Sequence, residues 1–197
     1  MKIITFFFIL FPFINTQAQL LDSIALSKEP VYYDITEALK NPEKVYKLDL
    51  HKNKLKEIPK DVFVFINLQE LNLSKNKLTK IPNDIEVLTK LEILDVSSNN
   101  IDLIPTAIGK LVNIKKLILN QNVIAKLSPE IGNLTKMTFL DMWGNEIQKF
   151  PDEISKLKNT LKVLDLRVIS IKEPLQEEIE QQLPNTKIFF SMSCNCD

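Results

Sequence analysis

The stretch LQELNLSKNKL, Leu68 to Leu78, decides the fold, because its pattern returns at a fixed step of 23 residues. VYKLDLHKNKL begins at Val45, LEILDVSSNNI at Leu91, IKKLILNQNVI at Ile114 and MTFLDMWGNEI at Met137. A looser copy opens at Leu161. The five quoted segments fit L-x-x-L-x-L-x-x-N-x-L, with apolar residues allowed at the leucine positions. Within each unit the alternation predicts a short strand: Leu71 and Leu73 point inward while Glu70, Asn72 and Ser74 point outward. No single unit can bury its leucines alone. Stacking the units sets equivalent strands about 4.8 Å apart and completes a shared core.

This pattern resembles the leucine-rich repeat family. The return segment I-P-x-x-I-x-x-L is carried by Ile58-Pro59, Ile81-Pro82, Ile104-Pro105 and Phe150-Pro151, with repeat four shifted to Leu127-Ser128-Pro129. That form is similar to the 23-residue subclass shared by Ras-pathway scaffold proteins and many bacterial surface proteins. The resemblance implies an α/β solenoid of about six repeats. It would be an arc with a concave parallel sheet and an irregular or short-helical convex side. Proline suits the first turn of each return helix, where its missing N–H would be unpaired anyway.

The asparagine column Asn53, Asn76, Asn99, Asn122 and Asn145 follows each strand. There the chain turns inward, and buried backbone groups need partners. An amide side chain offers two donors and an acceptor, enough to serve its own turn and the next one. We read the column as a structural ladder.

The ends differ from the middle, as a stack with exposed core edges requires. Asp34-Ile35-Thr36-Glu37 reads as a capping box opening a short helix that Asn41-Pro42 closes. This N-terminal helical cap should cover the first repeat. Repeat six has Ile169 in place of the asparagine, then a helical stretch from Pro174 to Glu180. Lys187-Ile188-Phe189-Phe190 is expected as a terminal half-strand. The expected divisions are a signal peptide over 1–18, an arm and capping helix over 19–44, the repeat domain over 45–191, and a tail over 192–197. Gln19 to Glu29 is expected to be a short linker or arm.

The leader rests on Lys2, the apolar run Ile3 to Ile14 and the small-residue site Thr16-Gln17-Ala18. The run is shorter than the roughly 20 residues a spanning helix needs. Export to periplasm, cell surface or medium is therefore expected, with no transmembrane span in the mature chain. Without Lys2 the chain carries one more acidic than basic residue. That balance leaves no footprint for nucleic acid or anionic lipid.

Partners of the resembled family usually dock on the concave sheet, through the outward positions of each strand. The first outward column is Lys47, Glu70, Ile93, Lys116, Phe139 and Val163. The second is Asp49, Asn72, Asp95, Ile118, Asp141 and Asp165. The third is His51, Ser74, Ser97, Asn120, Trp143 and Arg167. The candidate site for another protein comprises Ile93, Ile118, Phe139, Asp141, Trp143, Val163 and Arg167. These apolar anchors form a patch that a monomer rarely leaves without a use. Trp143 and Arg167 belong to the types enriched at hot spots. The competing reading is that Trp143 stacks on Arg167 and shields the sheet.

Asp141 and Asp165 should lie side by side, where like charges destabilise unless a cation intervenes. The row then meets a basic partner side chain, holds calcium, or is simply solvated. Two carboxylates fall short of the six to eight oxygens calcium takes. A carbohydrate, with its ring on Trp143 and its hydroxyls on Asp141, is a further ligand class.

His51 is the only histidine, and the leader-free chain has only Gly109, Gly132 and Gly144. A Cys–His or Ser–His pair and a phosphate loop therefore lack raw material. Gly144 is expected to relieve crowding beside Trp143. No catalytic residue, metal or cofactor is expected, and a non-enzymatic interaction module is the reading. The alternative is a self-associating surface or envelope component, linked through its end caps or through a disulfide at Cys194 or Cys196.

Overall fold

The computed structural model describes residues 20–169 and 171–191. The expected leader and the Cys194/Cys196 tail lie outside them. Eight strands make one parallel sheet in chain order: β1 Val31–Tyr32, β2 Lys47–Asp49, β3 Glu70–Asn72, β4 Ile93–Asp95, β5 Lys116–Ile118, β6 Phe139–Asp141, β7 Val163–Leu166 and β8 Lys187–Phe190. β2 to β7 are the six repeats. The register follows the 23-residue step, so Leu48, Leu71, Leu94, Leu117, Leu140 and Leu164 pair along one row. Each of these leucines is at most 1 % exposed.

The return segments form 3-10 helices at Lys60–Val64, Asn83–Val87, Thr106–Lys110, Pro129–Asn133 and Asp152–Leu157. The prolines stand one position earlier than expected, as N-caps at Pro59, Pro82, Pro105 and Pro151. Repeat four is not shifted in space. Ser128 takes the N-cap, Pro129 the first helical position, and Leu127 remains buried in the Ile58 column. These helices stack closely. A Cβ at Gly132 would lie 2.4 Å from the Glu153 carbonyl oxygen, so only glycine fits there.

The asparagine column serves the preceding turn, not the next one. Asn99 donates to Val96 O in its own repeat (2.9 Å) and to Leu73 O one repeat back (3.1 Å). Its Oδ1 accepts from Leu78 N (2.9 Å). Asn76, Asn122 and Asn145 repeat this geometry. Asn53 is exposed, because no earlier repeat stands behind it.

Just before each ladder position the chain takes a left-handed conformation: Lys52, Lys75, Ser98, Gln121, Gly144 and Val168 all have φ between 53 and 66°. Gly144 shares this conformation with five residues that are not glycine. Outside its two chain neighbours, a Cβ there would approach nothing closer than 3.7 Å.

Asp34 caps α2, Ile35–Ala38, by accepting from Glu37 N (2.9 Å). Glu37 does not reach back to complete the box; it pairs with Lys40 instead. From Leu20 to Glu29 the expected linker is more than a linker. Asp22 caps α1, Ser23–Lys28, and Leu21 is tied by two hydrogen bonds to the buried amide of Gln69. At the far end α3, Glu173–Gln182, buries Ile179, and β8 pairs with β7 over its full length.

Asn99→Ala removes one acceptor and two donors from buried backbone groups. It should destabilise by about 2–4 kcal/mol in urea unfolding, whereas Asn53→Ala should stay within about 0.5 kcal/mol of the native chain.

Candidate functional site

The outward column of the strand starts runs Lys47, Glu70, Ile93, Lys116, Phe139, Val163, Lys187 in direct register. Lys116 therefore separates Ile93 from Phe139. The next outward column sets Ile118 between Asp95 and Asp141. The apolar side chains form a chequerboard with charged ones rather than one continuous patch. Ile93, Ile118, Phe139, Val163 and Trp143 are each half-buried, and Arg167 is exposed.

The acidic column has a local purpose. Asp49, Asn72, Asp95, Asp141 and Asp165 each use Oδ1 to accept the N–H two residues on, at 2.9–3.1 Å. These Asx turns lead the chain out of the strand toward the left-handed residue. That is why Asn72 can replace an aspartate here, and why charge is not what selects the column. Ser74 and Ser97 are buried by the turns, contrary to the outward placement expected for them.

Asp141 and Asp165 do stand opposite one another. The intervening cation comes from the chain itself. Arg167 donates from Nη2 to Asp165 Oδ2 (2.6 Å) and from Nε to Asp165 Oδ1 (3.0 Å). Burial pushes Asp165 up, but those hydrogen bonds and the guanidinium charge outweigh it and hold the carboxyl below its usual value. Asp141 goes the other way. Burial, helped by the nearby Asp165 charge, raises it above the usual value despite the bond from Asn120 Nδ2 to its Oδ2 (2.6 Å). Among the described residues no group of three or more His, Cys, Asp or Glu is placed to hold a metal ion.

Arg167 lies over Phe189 rather than Trp143, with its guanidinium carbon 5.7 Å from the ring centroid. Lys187 approaches the same ring at 4.7 Å. The stacking of Trp143 on Arg167 is thus replaced by a cluster around Phe189, a residue that sequence alone places only in the terminal strand.

The structure divides the candidate residues in two. Ile93 and Ile118 line a groove of about 260 Å³ with Val31, Tyr33, Lys47 and Asp95. Phe139, Asp141, Trp143, Val163 and Arg167 fall outside it, toward the C-terminal end of the sheet. Tyr33 was missed, although the run Val31-Tyr32-Tyr33 before the capping box has the composition of a strand.

A family model described as a leucine-rich repeat region matches residues 43–192. Among solved structures, a leucine-rich repeat protein of Leptospira interrogans is 30 % identical with a TM-score of 0.68, over 83 % of this chain and 46 % of that one. The ectodomain of the Arabidopsis thaliana membrane receptor kinase GASSHO1/SCHENGEN3 was solved in complex with Casparian strip integrity factor 2. It is similar in fold, with a TM-score of 0.62 and 22 % identity, over 82 % of this chain and 20 % of that one. The chain thus spans about half the length of the Leptospira chain and a fifth of the plant one. The comparison with curated proteins finds no match.

Arg167→Gln removes the cation beside two carboxylates. The group it holds down, Asp165, contributes stability above the unfolded aspartate value of about 3.9 and loses it as pH falls through the lower folded value. The variant should therefore have a lower urea midpoint than the native chain at pH 7. The two should converge in titrations carried below the carboxylate range.

Proposed function

The chain belongs to the leucine-rich repeat family, and from that premise we propose that it is an exported, non-enzymatic module that holds another protein on its concave sheet. Leucine-rich repeat domains are generally protein-interaction modules. Export rests on the sequence of the leader alone.

The observation that carries the docking site is what folding leaves unused. Asx turns and internal partners occupy the carboxylates of Asp141 and Asp165, and the ladder amides serve backbone. No such internal role accounts for the partly accessible rings of Phe139 and Trp143 or for Val163 beside them. Aromatic groups over satisfied polar neighbours can be desolvated by a partner without stranding a buried charge. Arg167 stands at the rim, where it would steer orientation more than affinity.

A specific feature also supports self-association. β8 ends the strand order among the described residues, so one of its edges is open to a further strand. Light scattering of the purified chain, with and without reductant, separates the readings: a monomer in both conditions removes self-association.

For the docking site, Trp143→Ala should weaken partner binding by about 10- to 100-fold while leaving the circular dichroism spectrum unchanged. The measurement is affinity capture from native extract and culture fluid beside the native chain, with bound species identified by mass spectrometry. Equal recoveries with Trp143→Ala and with Phe139→Ala would remove this site.

A further inference from the structure

Neutral composition hides a segregated surface. Where the chain leaves the strands, it forms a flank of hydrogen-bonded rows. The first row is carried by the left-handed residues: Lys52 N donates to Ser74 O (3.0 Å), Lys75 N to Ser97 O (2.9 Å) and Gln121 N to Trp143 O (2.7 Å). It closes with Val168 N on Ser191 Oγ (2.6 Å). A second row joins Lys77 N to Leu55 O (2.8 Å), Val123 N to Ile101 O (3.0 Å) and Glu146 N to Ile124 O (3.0 Å), with Lys54 at its start. In the third row, parallel bridges link Leu103, Lys126 and Lys149, and the 23-residue register adds Glu57 and Lys80.

Because the backbone of these rows is occupied in the stack, their side chains face water. The three rows hold seven lysines against two glutamates, all exposed. Lys56 and Asp102, between rows two and three, cancel. None of the seven is ion-paired with a described residue. Lys52 and Lys75 are neighbours one repeat apart, as are Lys54 and Lys77, so four cations crowd one corner. The same rows expose Leu103 at 56 %, Val123 at 39 % and Val168 at 65 %.

Lysines alone would suit any polyanion. A soluble polyanion, however, has no use for aliphatic side chains set among them. A bilayer surface takes both: phosphates pair with the ammonium groups, and short aliphatic chains enter the headgroup–acyl boundary. Among the described residues no helix is long and apolar enough to cross a membrane, so such contact is peripheral.

We propose that this flank docks the solenoid on a membrane surface rich in anionic phospholipid. The lysine corner around Lys52, Lys54, Lys75 and Lys77 supplies the attraction, and Leu103, Val123 and Val168 supply shallow insertion. The flank and the concave sheet are different faces of the solenoid, so a protein on the sheet and a membrane on the flank do not compete. The proposal therefore stands or falls independently of the concave site.

The experiment is vesicle flotation of the full chain, with phosphatidylcholine alone and with phosphatidylglycerol added. The phosphatidylcholine arm reads whatever the apolar stretch Ile3–Ile14 contributes, and the gain on adding anionic lipid reads the flank. Lys52→Gln/Lys54→Gln/Lys75→Gln/Lys77→Gln should cut that gain by roughly 10²–10³-fold. A control with the same charge change elsewhere, Lys110→Gln/Lys136→Gln/Lys156→Gln/Lys162→Gln, should keep most of it. Leu103→Ser/Val123→Ser/Val168→Ser should weaken binding with an unaltered salt dependence, and circular dichroism confirms that each variant is folded. Equal loss in both lysine sets, or no gain from phosphatidylglycerol, would overturn the proposal. Binding to heparin or duplex DNA with no binding to anionic vesicles would overturn it in favour of a soluble polyanion.

Discussion

Each inward turn of this solenoid buries backbone carbonyls and amides that water cannot reach, and the rest of the structure depends on their being satisfied. Asn76, Asn99, Asn122 and Asn145 do so by reaching back one repeat. A repeat is thus completed only when its successor is in place. The apolar columns behave in the same way, since Leu94 or Leu117 is dry only with a neighbour on either side. Stability is shared between adjacent units, and cooperativity passes along the chain through amides and leucines together.

The first and last units cannot obey that rule, and both ends show the substitution. Asn53 has no earlier turn to serve and lies in solvent. The N-terminal edge is instead covered by β1 and α2, and Gln69 ties Leu21 down. At the other end Ile169 replaces the amide and is buried, while α3 and β8 close the core. The ends are built from local helices and extra strands because the repeat itself has no means of finishing.

The same economy shapes the surfaces. On the sheet, Asx turns and Arg167 absorb the acidic column, which leaves aromatic and aliphatic side chains as the accessible chemistry. On the flank the backbone is consumed by the stack, and the lysines that project there outnumber the carboxylates. A chain with equal numbers of acidic and basic residues can therefore present a cationic flank beside a sheet where charges of both signs alternate with apolar side chains. Net charge reports the sum over faces, and binding depends on the difference between them.

By itself the sequence determined the parallel sheet, its register, the core columns and the stack of six repeats. A step of 23 residues repeated in register leaves little freedom: each column must superpose on the next, and the apolar ones must face inward. The Asp34 cap and the C-terminal helix were legible for a similar reason, because their signals lie within a few residues of one another, although Glu37 turns to Lys40 rather than completing the box. Only the tertiary structure decided which way the ladder amides reach, since a one-dimensional pattern does not distinguish the turn before from the turn after. It also decided that Arg167 turns to Asp165 and Phe189, that Tyr33 joins Ile93 in a groove, and that Lys52 and Lys75 share a face with Val168. Apart from Arg167 with Asp165, those relations link residues tens of positions apart, through a stacking geometry that exists only once the core has closed.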